Sequence, residues 1–198
     1  MREFYALIDR LNAASPEQRP LIEADIRNRF EVEKAVFALD MSGFSLTVRR
    51  DGILSYLGMI RRMQNITSPI IAEFGGALVK HEADNVLALF DRPAAAVRAA
   101  LSINEQLLIQ GGDRPIRVSI GIDFGPLLSI DGADCFGDPV NTACKLGEDI
   151  AQAGEILISH AARAQLGDDL LARAEITDLT LSIAGIEIPA ARVRARAG

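Results

Sequence analysis

The chain has 198 residues, 49% hydrophobic and 24% charged, with a net charge of −6, so it is long enough to bury a real core as one main domain. Its acidic balance and short basic runs (Arg49-Arg50, Arg61-Arg62) exclude a nucleic-acid surface, and no uninterrupted apolar stretch approaches the ~20 residues of a membrane-spanning helix. The opening residues carry charges where a signal peptide has its apolar centre, and Cys135 and Cys144 have neither zinc nor redox spacing, so a cytoplasmic protein with free thiols is expected.

Helical periodicity runs over 2–13 and 16–31, with Ser15-Pro16 as the start signal of the second helix. A strand over 35–39 ends in Asp40, and Met41-Ser42-Gly43-Phe44-Ser45 turns the chain toward a helix over 51–73, stopped at Phe74-Gly75-Gly76. A hairpin spans 77–90, its turn at Asp84-Asn85, where left-handed backbone is tolerated. Pro93 opens an alanine-rich helix to about Ile109, broken by Gly111-Gly112-Asp113. A strand over 116–124 is followed by a Gly125-Pro126 turn and a second strand over 127–130. Asp138 is the expected N-cap of a helix reaching about Ala151. A strand over 155–159, a short helix over 160–166 and a β-hairpin over 175–194 complete the chain. Helices and strands are interspersed without a repeated βαβ unit, which predicts an α+β fold: one sheet with packed helices over 34–198, and a helical extension over 1–33.

Two aspartates stand out. Asp40 closes an apolar strand and Asp84 sits at a hairpin tip; if the two strands are neighbours, both carboxylates emerge at one sheet edge. Taken alone, Asp84 is also explained by turn chemistry. With only two histidines in the chain, a metal here is held by oxygen, which points to magnesium or manganese. A pair of such ions can clamp the attacking and leaving oxygens of a phosphoryl displacement. The Ser42-Gly43-Phe44-Ser45 turn at a helix start adds an anion site.

The order of these pieces, "FALDMSGFS", "FGGALVKHEADNVLALF", "SIGIDFGPLL" and "DCFGDPVNTACKLGEDIAQAGEILIS", resembles the catalytic domain of the class III adenylate and guanylate cyclases. The resemblance implies a ferredoxin-like mixed or antiparallel sheet with packed helices. It also implies conversion of ATP to cyclic AMP and pyrophosphate with two Mg2+ or Mn2+ ions, in a head-to-tail homodimer whose sites lie between subunits. Asp40 and Asp84 match the metal aspartates, and the backbone from Met41 through Ser42 and Gly43 to Phe44 matches the metal and triphosphate loop. Lys80 and Asp134 match the pair that reads the purine, with Asp131 and Asp138 as competitors for the second position. Asn141 matches the ribose asparagine. A lysine donor and an aspartate acceptor suit adenine better than guanine.

Three positions depart from the pattern. The family's transition-state arginine is Lys145 here. A phosphate-binding arginine is Ser119, with Arg117 two residues earlier as a partial replacement. The phosphate-binding lysine expected near Gly185-Ile186 is missing. The alternative to an enzyme is therefore a cyclase-like module that binds nucleotide with little turnover; guanylate specificity is a third reading.

Overall fold

The computed structural model describes residues 1–110, 115–183 and 186–196. Two helices, α1 (Arg2–Ala13) and α2 (Arg19–Phe30), precede β1 (Glu31–Met41). Then come α3 (Phe44–Asp51), α4 (Ile53–Glu73), the hairpin β2 (Ala77–Glu82) and β3 (Asn85–Phe90), α5 (Pro93–Ile109) and the long β4 (Val118–Ile130). After these follow β5 (Asp134–Phe136), α6 (Asp138–Cys144) with a π-helical turn over Lys145–Ile150, β6 (Ile156–Ser159), α7 (His160–Ala164), α8 (Asp168–Arg173) and the hairpin β7 (Ala174–Ile183) and β8 (Ile186–Ala195).

The sheet runs β2-β3-β1-β4-β6-β8-β7, with β5 paired to β4. Only the β4–β6 pairing is parallel among these strands. The first four strands, with α3–α4 and α5 as crossovers, form a ferredoxin-like βαββαβ unit. Alternation along β1 divides the interior. Ala35, Phe37, Leu39 and Met41 face α4 and α5, whereas Val36 and Ala38 pack with Leu87, Cys135 and Ala143 on the α6 side. Asp40 continues the second series, so its side chain belongs to the α6 face.

Several boundaries differ from the sequence expectation. The second helix begins at Arg19, with Pro20 in its first turn, rather than at Ser15-Pro16. The helix after the β1 turn begins at Phe44, and Gly52 at φ 83 divides it. Gly125-Pro126 makes no turn, because β4 is continuous and Pro126 pairs opposite Glu33. On its other edge β4 meets β6 only through Ile122 and β5 only from Leu128, so Pro126 falls between those ladders, where a missing N–H costs no pairing. Gly137, not Asp138, caps α6. The left-handed residue of the β2–β3 loop is Ala83 (φ 52), not Asp84 or Asn85. The Gly111-Gly112-Asp113 break and Gly185 lie outside the described residues.

Candidate active site

Asp40 and Asp84 meet because β1 and β3 are neighbours. Asp40 pairs opposite Asn85 in the antiparallel ladder, one residue beyond Asp84. Burial, then Asp84, then Glu148 push the Asp40 carboxyl up to about 6, so the charged groups acting on it are both acidic. Asp84 is held from the other side of the sheet: the phenol of Tyr56, 1% exposed in α4, donates to its Oδ2 at 2.6 Å. Burial and that bond raise the phenol's own pKa.

Lys80 reaches the α6 face through a bulge. Leu78 pairs with Ala88, but Lys80 pairs with Leu87 instead of Val86, leaving Val79 out of the ladder. Directly opposed residues share a face. Leu87 packs on the α6 side and Val86 on the α4 side, so the bulge turns Lys80 toward α6 and His81 toward α4, where it meets Ser68 Oγ at 3.1 Å. Lys80 Nζ donates to Asp134 Oδ1 at 3.1 Å, and that bond raises the lysine pKa. The same carboxylate oxygen accepts the Cys135 N–H at 2.9 Å. Of the three competing aspartates, Asp134 is therefore the one the structure joins to Lys80.

A cavity of about 210 Å³ lies here, lined among others by Lys80, Asn85, Asp134, Phe136, Cys144 and Glu148. Burial pushes the Cys135 thiol up to about 11 and Cys144 to about 12, so neither is a thiolate nucleophile at neutral pH. Asn141 and Lys145 lie one helical step apart, exposed on one face of α6 and its π-helical continuation. The Met41 side chain is in the core, and its N–H bonds to Asp40. The Ser42 N–H is taken by the Arg117 carbonyl at 2.9 Å, which leaves the anion site to the backbone of Gly43, at φ 96, and Phe44 at the α3 start. Ser119 is 2% exposed and lies opposite Asp40. Arg117 stands just before β4 and lines a separate small cavity with Asn104, Leu108 and Gly154.

Whether these groups fit a divalent cation can be tested on the donor set. Among the described residues no three His, Cys, Asp or Glu side chains form a metal cluster. The Asn85 Oδ1, opposite Asp40, is buried without a hydrogen-bond partner. Two carboxylates and a buried amide oxygen in want of a partner make an all-oxygen set, which fits magnesium or manganese. Tyr56, Asn85 and Glu148 were not found by sequence reasoning. Tyrosine within an apolar helix face reads as core; the one signal was that its hydroxyl needs a partner when buried.

No protein-family profile matches the chain. An adenylate cyclase of Streptomyces coelicolor (strain ATCC BAA-471 / A3(2) / M145) is 28% identical over 161 residues, 81% of this chain. A relative from Rhizobium meliloti (strain 1021) is 27% identical over 129 residues, 63% of the chain. The chain spans only 41% and 22% of the length of these two curated relatives. Among solved structures, the adenylate/guanylate cyclase/hydrolase from Silicibacter pomeroyi is 33% identical, with TM-score 0.68 over 84% of this chain and 99% of that one. The catalytic core of a rhodopsin-guanylyl cyclase with converted specificity, in complex with ATPαS, superposes with TM-score 0.72 at 24% identity, over 84% of this chain and 98% of that one. Among the described residues, no helix is long and apolar enough to cross a membrane.

Proposed function

The chain belongs to the class III adenylate/guanylate cyclase family, and on that premise we propose that it converts ATP to 3′,5′-cyclic AMP and pyrophosphate at a site shared by two copies. The observation that carries the choice of adenine is the Lys80–Asp134 pair at the cavity. Adenine offers an acceptor at N1 and a donor amine at C6, which a lysine and a carboxylate side by side can satisfy; guanine offers the reverse.

Asp40 and Asp84 would hold Mg2+ or Mn2+, two ions per site, with the Met41 carbonyl. The chemistry supplied when these ions are bound is acidification of the ribose 3′-hydroxyl and neutralisation of the triphosphate. Asn141 orients the ribose, so that its 3′-oxygen lies in line with the α-phosphorus and the departing pyrophosphate. The Gly43 and Phe44 amides, at the positive end of α3, receive phosphate oxygens. Lys145 meets the charge that develops on those oxygens, through an ammonium in place of the family's planar fork.

A second reading, nucleotide binding with slow turnover, is favoured by Ser119. It is buried beside Asp40 and carries no charge, and Arg117 faces a different cavity. Incubation of the purified protein with ATP and Mn2+ separates the two readings: cyclic AMP formation that is lost in Asp40→Ala and Asp84→Ala supports the cyclase. Nucleotide binding without cyclic AMP supports the second reading. Full activity in excess chelator would overturn the two-metal assignment, and equal turnover of GTP and ATP would overturn the base assignment.

A further inference from the structure

We infer that the helical pair α1–α2 sets the geometry of the base-recognition pair, with Phe4 as a positioning residue that acts through Phe136 on Asp134. This rests on the reading of Lys80 and Asp134 as the base-recognition pair. The strand that carries Asp134 is weakly anchored: β5 has three residues and pairs only with β4 among the described strands. It is joined to β4 by a tight loop in which Asp131 and Gly132 both have positive φ, 53 and 66. Side chains two apart on a strand share a face, so Asp134 and Phe136 move together.

What steadies that face comes from α1. The Phe136 ring stacks on Phe4 with centroids 5.9 Å apart and planes within 4°. Phe4 is itself fixed, 5% exposed and edge-on to Phe30 at 5.3 Å, within a cluster that includes Leu7, Ile26 and the fully buried Ile130 of β4. Phe136, by contrast, is 40% exposed. It lines both the Lys80–Asp134 cavity and a second cavity of about 450 Å³ bounded by Ile8, Leu11 and Ile26 of the helical pair. One ring is therefore a wall of the base site on one side and the seat of α1 on the other. A shift of α1 is passed to Phe136, and through three residues of strand to the carboxylate that faces Lys80. The bond at stake is short-range and directional, so a small displacement of Asp134 weakens acceptance of the adenine amine and relaxes discrimination against guanine.

The test uses the full chain and the variants Phe4→Leu, Phe4→Tyr, Phe136→Leu and Asp134→Ala. Dissociation constants for ATP and GTP are measured by displacement of a fluorescent nucleotide without divalent cation, so that nothing turns over, and KM and kcat are measured with Mn2+. Phe4→Leu keeps most of the buried apolar volume without the ring, and Phe136 is exposed enough that its leucine variant folds. Both are expected to weaken ATP binding by about three- to tenfold, the span of an aromatic pair. They should also narrow the ATP:GTP ratio, raising KM more than they lower kcat, while Phe4→Tyr restores wild-type behaviour. A general loss of stability would not shift the ATP:GTP ratio. If Asp134→Ala narrows that ratio and the two leucine variants leave it unchanged, α1 does not position the pair. If Asp134→Ala itself leaves the ratio unchanged, the base assignment fails first and this inference with it.

Discussion

Asp84 stands at the tip of the β2–β3 hairpin, yet the backbone strain of that loop falls on its neighbour Ala83, which alone of the two has positive φ. Turn chemistry therefore does not explain an aspartate there, and the buried Tyr56 hydroxyl that meets it does nothing for the turn. The phenol takes Oδ2, which makes Tyr56 a holder of the carboxylate that, on the proposed reading, would bind a cation. Tyr56→Phe keeps the ring in the core and removes that bond. Mn2+ affinity, measured by electron paramagnetic resonance on folded protein, should fall by about 10- to 100-fold; an unchanged affinity would show that Asp84 is held without help. Away from the site, Asp123 is 6% exposed and accepts from Ser159 Oγ and, at 2.7 Å, from the Phe124 N–H. Burial nonetheless raises its pKa above the usual carboxylate value. The folded state thus holds this proton more tightly than the unfolded state. The resulting stability is complete below the unfolded pKa of about 4 and is lost as pH rises through the folded value. Thermal midpoints taken from about pH 4 upward should fall less steeply in Asp123→Asn than in the wild type. Parallel slopes would show that Asp123 is already ionised in the fold across that window.

At the scale of elements, the position of α6 is set by two glycines. A Cβ on Gly121 would lie 2.0 Å from the Ala143 carbonyl oxygen and 2.4 Å from the Gly147 nitrogen, and one on Gly147 would lie 2.8 Å from the Ala38 carbonyl oxygen. Helix backbone rests directly on sheet backbone there, and neither side has a flexible atom to give way. Gly121→Ala should destabilise the protein by about 1–3 kcal/mol or more in chemical denaturation. It should also lower activity beyond the loss of folded protein, because α6 and its π-helical continuation carry Asn141 and Lys145. Equal stability would mean that the contact relaxes freely. The elements were largely legible where one physical rule governs them. Short continuous apolar runs marked β1, β3 and β6, and the Phe74-Gly75-Gly76 stop marked the end of α4. Two of the misses, at Gly125-Pro126 and β5, come from strand pairing that local punctuation does not show. Gly125-Pro126 reads as a turn until β1 is known to run beside it, and β5 is too short to show alternation, although Asp131-Gly132 is a hairpin signal. Of the site, the convergence of Asp40 and Asp84 followed from strand adjacency. The bulge that aims Lys80, the Tyr56 bond and the Asn85 oxygen did not, since each depends on which residues the fold sets opposite one another.

Across the whole molecule, Asp40 and Lys80 lie on the α6 side of the sheet, and on the proposed reading the site they belong to is completed by a second copy. The charged groups acting on Asp40 are acidic, while Asn141 and Lys145 are exposed on α6 and its π-helical continuation. Helix α4, which supports Asp84 through Tyr56, presents Ile53, Leu54 and Leu57 at 51%, 80% and 50% exposure, an apolar surface that a second copy can cover. A site completed by a second chain makes a quantitative demand on mixtures. On the proposed reading Asp40→Ala removes a metal ligand and Asn141→Ala removes the ribose contact, so each protein alone is expected to be inactive and folded. In a two-fold dimer each mixed pair joins one doubly damaged site to one intact site. With free exchange of equal amounts, half of the dimers are mixed and half of their sites work, so about a quarter of the wild-type rate should return. The rate should grow with the square of total concentration when dimers are scarce and linearly once they saturate. No recovery in a mixture whose subunit exchange is demonstrated by mass would place the metal and ribose contacts of each site on the same chain.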